Sequence, residues 1–104
     1  MRENAGMDQT PEPRFADNPE DERYELWLGD VEVGFIDYRT DDGVRLLAYI
    51  EVDPAFGGQG FGTKLTEAAL EDCRARGLKV SPHCPFIADY IRHHPEVSDL
   101  VARR

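Results

Sequence analysis

The chain has 104 residues, of which 40% are hydrophobic and 32% charged, and its formal net charge is −9. These values predict one small folded domain rather than a disordered chain. The negative charge argues against nucleic-acid binding, because a polyanion requires a basic face on its partner. We find no membrane-length apolar run and no secretory signal pattern, so we expect a cytoplasmic protein without a membrane partner.

The first 22 residues are predicted to form a flexible acidic arm. Three prolines, seven acidic residues and two arginines lie in this segment, and few of its side chains are apolar. Such a composition cannot bury enough apolar surface to offset the entropy lost on ordering. We therefore predict two parts, an arm at 1–22 and a folded domain at 23–104.

Three strands are predicted to follow the arm as an antiparallel meander. Gly29-Asp30 and Asp41-Asp42-Gly43 are typical of the tight turns that join such strands. The predicted strands are 24–28, 31–38 and 44–52. The third strand is apolar on both faces, which predicts a central position in the sheet. Strict alternation would place Leu47, Tyr49 and Glu51 on one of its faces.

The second half of the chain is predicted to be mainly helical. An amphipathic helix extends from about Gly60 to Arg76, and Gly77 is a typical residue at a helix end. A short strand at 78–81 follows a crossover and should lie parallel to the third strand. Two short helices, at 86–93 and 95–101, complete the chain. The predicted fold class is thus α/β (α+β), a mixed four-stranded sheet with helices packed on it.

The loop between the third strand and the long helix is rich in glycine. It reads Gly57-Gly58-Gln59-Gly60-Phe61-Gly62. Glycines allow backbone N–H groups to converge, and a helix N-terminus adds unpaired donors and a positive dipole end. This pattern predicts a phosphate site, although a purely structural loop remains the alternative. It is neither a P-loop nor a Rossmann loop, because Gly-Lys-Ser/Thr is missing and the loop follows a meander.

These glycines resemble the Q/R-x-x-G-x-G/A signature of the Gcn5-related N-acetyltransferases. The segments 79–86 and 90–96 are also similar to those of the small YjdJ-like acetyltransferases, and the resemblance covers about 24–101. Two positions depart from the pattern. Gly57 stands where the signature has Arg or Gln, and Tyr49 stands where the small subfamily usually carries His.

The resemblance implies acetyl-CoA (coenzyme A) as cofactor and a primary amine as acceptor, which we expect to be on a protein or peptide. It places the pantetheine arm along the third strand and the pyrophosphate at the glycine loop. The implied cofactor-binding residues are Ile50, Val52, Gly57, Gly58, Gln59, Gly60, Phe61, Gly62 and Thr63. Since the domain is short, we expect an acceptor side that is open or completed by a second copy in a homodimer.

Three side chains are candidates for acyl transfer, which requires a base for the amine and an acid for the leaving thiolate. Glu51, near the end of an apolar strand, is a candidate base or else a member of a polar cluster or a helix cap. Tyr90 matches the tyrosine that protonates the thiolate in larger family members, with packing beneath the cofactor as the alternative. Cys84 precedes a helix, where thiolates are favoured, and is either an acyl carrier or a small apolar filler.

A metal site is not predicted. His83, Cys84, His93 and His94 match no common zinc spacing, and we expect both cysteines of the chain to stay reduced. Two rivals to an acetyltransferase remain open: an acyl-CoA-binding module with little or no catalysis, and an interaction module in which the glycine loop is structural.

Overall fold

A five-stranded mixed sheet forms the framework of the protein in the computed structural model, which describes residues 12–103. The strands are β1 (Arg14–Asn18), β2 (Arg23–Leu28), β3 (Val31–Asp41), β4 (Val44–Val52) and β5 (Lys79–Pro82). They lie in the order β1-β2-β3-β4-β5; the first four are antiparallel to their neighbours, and β5 is parallel to β4. The predicted fold class is therefore confirmed, and so is the prediction that the strand after the long helix lies parallel to the strand at 44–52.

Two helices and two 3₁₀ turns complete the fold. They are the 3₁₀ turn Pro54–Phe56, α1 (Phe61–Ala75), α2 (Pro85–Arg92) and the 3₁₀ turn Pro95–Leu100. The predicted third helix is thus a 3₁₀ turn. None of the helices in the described part of the chain is long and apolar enough to cross a membrane.

The predicted strand count of four is corrected to five by β1. This strand lies inside the 1–22 segment that the composition assigned to a flexible arm, and it pairs along its length with β2. Phe15 packs against Tyr24, with ring centroids 5.1 Å apart, and Asp17 accepts a hydrogen bond from the Tyr38 hydroxyl. These tertiary contacts order a segment of unfavourable composition. The first 11 residues of the predicted arm lie outside the described residues.

A bulge in β4 changes which of its side chains share a face. β3 pairs with Leu47 and then with Tyr49, so Ala48 is an extra residue in β4. Leu47 is fully buried, whereas Tyr49 is 50% exposed and Glu51 is exposed. The prediction that all three share a face is therefore wrong for Leu47, because the inserted residue reverses the alternation. Tyr49 and Glu51 do share a face.

The core lies between the sheet and α1. Leu65, Ala69 and Cys73 form a fully buried stripe along α1, as the helical period predicted. Ile36 of β3 and Ile87 of α2 are buried in the same cluster. Burial of this stripe fixes α1 on one face of the sheet, and α1 in turn carries the glycine loop at its N-terminus.

A buried polar cluster joins the other end of α1 to the sheet. The Arg45 guanidinium donates to the Tyr24 hydroxyl at 2.7 Å, and that hydroxyl donates to Asp72 on α1, also at 2.7 Å. Arg76 donates to Asp72 at 2.7 Å and also lies 3.3 Å from Asp17 of β1. Burial, followed by the hydrogen bond to Asp72, raises the pKa of Tyr24, so its hydroxyl stays protonated. The cluster therefore ties β1, β2, β4 and α1 together.

Candidate active site

A cleft opens where β4 and β5 separate. The two strands pair only from Val44 to Leu47 on β4, and the His83 N–H then donates to the Leu47 carbonyl at 3.0 Å. Beyond this point the chain turns into α2, and no described strand pairs with that edge of β4. The cleft has a volume of about 430 Å³. Its lining residues are Tyr49, Ile50, Val52, Gly62, Cys84, Pro85 and Phe86.

The free edge of β4 directs backbone groups into this cleft. The Asp53 N–H donates to the Val33 carbonyl on β3 at 2.8 Å. Because backbone groups alternate between the two edges of a strand, the N–H and C=O of Val52 and Ile50 are directed away from β3. An extended ligand can therefore add to β4 as another strand would. Ile50 and Val52 are the two strand positions that the resemblance implied.

The glycine loop supplies donors at the end of the same cleft. Gly60 is the N-cap of α1 and provides no side-chain hydrogen bond to it. The first intrahelical bond from this cap runs from the Lys64 N–H to the Gly60 carbonyl at 3.1 Å. The N–H groups of Phe61, Gly62 and Thr63 therefore have no intrahelical acceptor. Free donors of this kind, together with the positive end of the helix dipole, can hold an anion.

The loop conformation depends on glycine and on two aromatic anchors. Gly58 and Gly60 have φ values of +76° and +82°, which residues other than glycine rarely adopt. Asp53 caps the preceding 3₁₀ turn by accepting the Ala55 N–H at 2.9 Å. Phe56 and Phe61 then pack edge to face across the loop. The loop is thus held from both sides, with its N–H groups at the start of α1.

Tyr49 connects the cleft to Glu51. Its ring lines the cleft, while its hydroxyl donates to the Glu51 carboxylate at 2.9 Å. This hydrogen bond and the charge of the carboxylate raise the pKa of Tyr49 above its ordinary value. Glu51 itself is exposed and lines a separate, smaller pocket of about 180 Å³ together with Phe35 and Asp53.

The comparison with known proteins settles the family. A model described as "GCN5-related N-acetyl-transferase" matches residues 23–100. The chain belongs to this family. It is accordingly an acyltransferase by family membership, and the resemblance stated from the glycine signature is confirmed. No curated protein sequence matches the chain.

Three solved structures with the same fold belong to proteins that differ from one another in length. A GCN5-like protein from Staphylococcus aureus, a proposed N-acetyltransferase, is 23% identical with a TM-score of 0.66, covering 92% of both chains. Ard1 from Thermoplasma volcanium is 22% identical (TM-score 0.58), covering 75% of this chain and 57% of its own. The ribosomal-protein-S18-alanine N-acetyltransferase from Escherichia coli is 23% identical (TM-score 0.55), covering 58% and 39% respectively. At these identities the likeness establishes the fold. The chain spans less than two thirds of the latter two.

In this acetyltransferase domain, Cys84 lies in the cleft beside Tyr49. It is the N-cap of α2, its side chain makes no capping hydrogen bond, and it is 6% exposed. The structure thus brings Cys84 to the same cleft as the free edge of β4. Both predicted roles, acyl carrier and apolar filler, are compatible with this position.

Tyr90 lies outside the cleft of the acetyltransferase domain. Its hydroxyl donates to Glu67 on α1 at 3.3 Å, and its ring stacks on His94 at 3.8 Å. It lines a separate groove between α1, α2 and the 3₁₀ turn at 95–100. The structure therefore does not bring Tyr90 together with Glu51 and Cys84.

The histidines make local contacts. His93 and His94 each place Nδ1 near a backbone carbonyl four residues earlier, at 2.9 and 2.7 Å, and His83 lies 3.1 Å from the Ser81 hydroxyl. Within residues 12–103, no group of three or more His, Cys, Asp or Glu side chains is arranged to hold a metal ion.

Three residues that line the cleft, Tyr49, Pro85 and Phe86, were not among the site residues predicted from the sequence. Phe86 is 46% exposed and lines the cleft from α2, and Tyr49 was predicted to share a strand face with Glu51 but was given no role. The signal for Tyr49 was its position two residues before Glu51, which puts the two side chains on one face. The signal for Phe86 was an aromatic residue in the first turn of an amphipathic helix.

Proposed function

We propose that the protein transfers an acetyl group from acetyl-CoA to a primary amine on a protein or peptide. One observation carries this proposal: the free edge of β4 and the uncapped N-terminus of α1 meet at a single cleft. The first offers strand-like pairing to an amide-bearing arm, and the second offers donors to a phosphate group. Acetyl-CoA carries both groups in one molecule.

The proposed position of acetyl-CoA follows from these two elements. The pyrophosphate accepts hydrogen bonds from backbone N–H groups at the start of α1, and the pantetheine amides pair with Ile50 and Val52. The thioester then lies between Tyr49 and Cys84. The proposed binding residues are Ile50, Val52, Gly57, Gly58, Gln59, Gly60, Phe61, Gly62 and Thr63.

The proposed chemistry is direct attack of the amine on the thioester. Glu51 accepts the proton of the attacking amine, since it is exposed beside the cleft and can meet an acceptor from solvent. The competing route forms an acyl-Cys84 thioester, with release of CoA, before the amine attacks. We favour the direct route because Cys84 is 6% exposed.

The acceptor class and the setting complete the proposal. Glu51 and Tyr49 are exposed, so a large substrate such as a protein terminus or a lysine side chain can reach them. We place the reaction in the cytoplasm, without nucleic acid or membrane as partner, in line with the net charge of −9 and two free cysteines.

Calorimetric titration with acetyl-CoA tests the cofactor, with dephospho-CoA and ATP as controls. We expect saturable binding that is selective for acetyl-CoA, followed by transfer to peptides with free amines, detected by mass spectrometry. Failure to bind would overturn the proposal. Binding without transfer would support the rival acyl-CoA-binding module instead.

A further inference from the structure

Acyl transfer needs a proton donor for the departing sulfur, and the cleft contains a phenol that can serve as one. The tyrosine expected in this role, Tyr90, has its hydroxyl on Glu67 and lines a different groove. Tyr49 lines the cleft itself, and its ring is half exposed. A phenol in this position can reach a ligand that occupies the cleft.

We propose that Tyr49 and Glu51 act as one proton-transfer pair, in which Glu51 is the base for the amine and Tyr49 is the acid for the sulfur. The inference is carried by the 2.9 Å hydrogen bond from the Tyr49 hydroxyl to Glu51 and by the position of the Tyr49 ring in the cleft. It rests on the proposed function and assigns the acid of that reaction.

The proton balance closes within the pair. The neutral amine attacks the thioester carbonyl carbon, the C–N bond forms, and the proton of the amine passes to the Glu51 carboxylate. The C–S bond then breaks with its electron pair on sulfur, which takes the hydroxyl proton of Tyr49. The phenolate regains a proton from the Glu51 carboxyl group through their hydrogen bond. One proton has moved from nitrogen to sulfur, and both side chains return to their starting states.

The hydrogen bond also sets the order of the two transfers. While Glu51 is ionised, its carboxylate holds the phenol proton and raises the pKa of Tyr49; Asp37 on β3 and Cys84 at the start of α2 act in the same direction. Once Glu51 has accepted a proton, its negative charge is gone and the Tyr49 hydroxyl is released to donate to sulfur. The acid thus becomes available only after the base has acted.

A double-mutant cycle tests whether the two side chains act as a unit. Tyr49→Phe, Glu51→Gln and the double variant are compared with the wild type for acetylation of a lysine-containing peptide at saturating acetyl-CoA. We expect each single variant to lose about a hundredfold in kcat, and the double variant to lose no more than the worse single variant. Losses that multiply would overturn the pairing, as would full activity of Tyr49→Phe.

Two further measurements separate the possible failures. Tyr90→Phe is assayed alongside, and a greater loss there than in Tyr49→Phe would overturn the assignment of the acid. Calorimetry with acetyl-CoA should give the same Kd for wild type, Tyr49→Phe and Glu51→Gln. If the wild type binds acetyl-CoA but acetylates no amine peptide, the proposed function is overturned, and the Tyr49–Glu51 pair is overturned with it. If the wild type is active, the proposed function stands, and the double-mutant cycle tests only the Tyr49–Glu51 pair.

Replacement of Tyr49 by 3-fluorotyrosine gives a readout that a purely structural role would not move. Fluorine lowers the pKa of the phenol and leaves its shape nearly unchanged. The alkaline limit of kcat should then move to lower pH. An unchanged alkaline limit would contradict a role for the Tyr49 proton.

Discussion

Phe86 lies against Gly62, so closely that a Cβ built on Gly62 would stand 3.2 Å from the Phe86 Cζ atom. This contact joins the first turn of α1 to the first turn of α2 at the wall of the cleft. Because Phe86 is 46% exposed, its ring can give way, and because the ring lines the cleft, such a movement changes the shape of the cleft. The space available to a ligand in the cleft therefore depends on residue 62 having no side chain.

Gly62→Ala should weaken acetyl-CoA binding without destabilising the fold. The new methyl group displaces the Phe86 ring, while replacing a helical glycine by alanine gains about 0.5–1 kcal/mol. We expect a several-fold increase in Kd by calorimetry and an equal or higher Tm. The double variant Gly62→Ala/Phe86→Leu is the control, since the smaller side chain removes the clash. A Kd that stays at the wild-type value in Gly62→Ala would contradict the coupling.

Thr63→Glu should separate the stability of α1 from its anion site. A carboxylate in the first turn stabilises the helix by about 0.3–1 kcal/mol through its interaction with the helix dipole. The same negative charge repels a pyrophosphate bound at these N–H groups. We expect unchanged or raised Tm together with at least tenfold weaker acetyl-CoA binding, on the order of 1.4 kcal/mol.

Thr63→Gln is the matched control for this prediction, because it has nearly the same shape without the charge. Its affinity should stay close to that of the wild type. Equal losses in the Glu and Gln variants would point to steric obstruction rather than to a phosphate site.

Tyr24→Phe should lower stability but not ligand affinity. The Tyr24 hydroxyl is buried between Arg45 and Asp72, and its loss leaves their facing polar atoms without that partner. We expect a loss of about 1–3 kcal/mol in urea unfolding. Tyr90→Phe, which removes a more exposed hydroxyl, should cost less than about 0.5 kcal/mol. Comparable losses in both variants would refute the importance of the buried cluster.

Glu51→Gln should lower the pKa of Tyr49 towards its ordinary value of 10.0. The hydrogen bond to the carboxylate and its negative charge both favour the protonated phenol, so removing the charge eases ionisation. NMR titration of protein with ¹³C-labelled tyrosine measures this directly. Glu67→Gln is the matched control, since Glu67 contributes to the raised pKa of Tyr90, not of Tyr49. A Tyr49 pKa indifferent to Glu51→Gln would show that the hydrogen bond is not maintained in solution.

The parts predicted well from the sequence are those with local causes. Four glycines in six positions indicate an unusual backbone conformation from the local sequence alone, and the spacing of apolar residues along α1 predicts which of its faces is buried. The position of β1 could not be obtained this way, because Phe15 and Asp17 gain their partners from β2, β3 and α1. A composition rich in proline and acidic residues gave the opposite prediction.

The candidate site was predicted only in part for the same reason. Its binding loop is local in sequence, whereas its chemistry depends on where the bulge at Ala48 falls. That position is set by pairing with β3, which no pattern within β4 reveals. The placement of Tyr90 came from resemblance to larger relatives, and the actual hydrogen bond of its hydroxyl to Glu67 is a property of this chain.

The bulge at Ala48 divides β4 into two stretches that can vary separately. Arg45 and Leu47 of the first stretch are buried, and Tyr49, Ile50 and Val52 of the second line the cleft, although only Ala48 separates the two stretches. Random substitution confined to 49–52 should therefore yield many folded proteins with altered chemistry, whereas the same diversity at 44–47 would mostly be lost to misfolding. Deleting Ala48 would remove the bulge and make the pairing with β3 regular, while Leu47 would still face the interior and Tyr49 and Glu51 the opposite face. The bulge at Ala48 thus marks the boundary between the positions of β4 where substitutions are tolerated and the positions where they disrupt the fold.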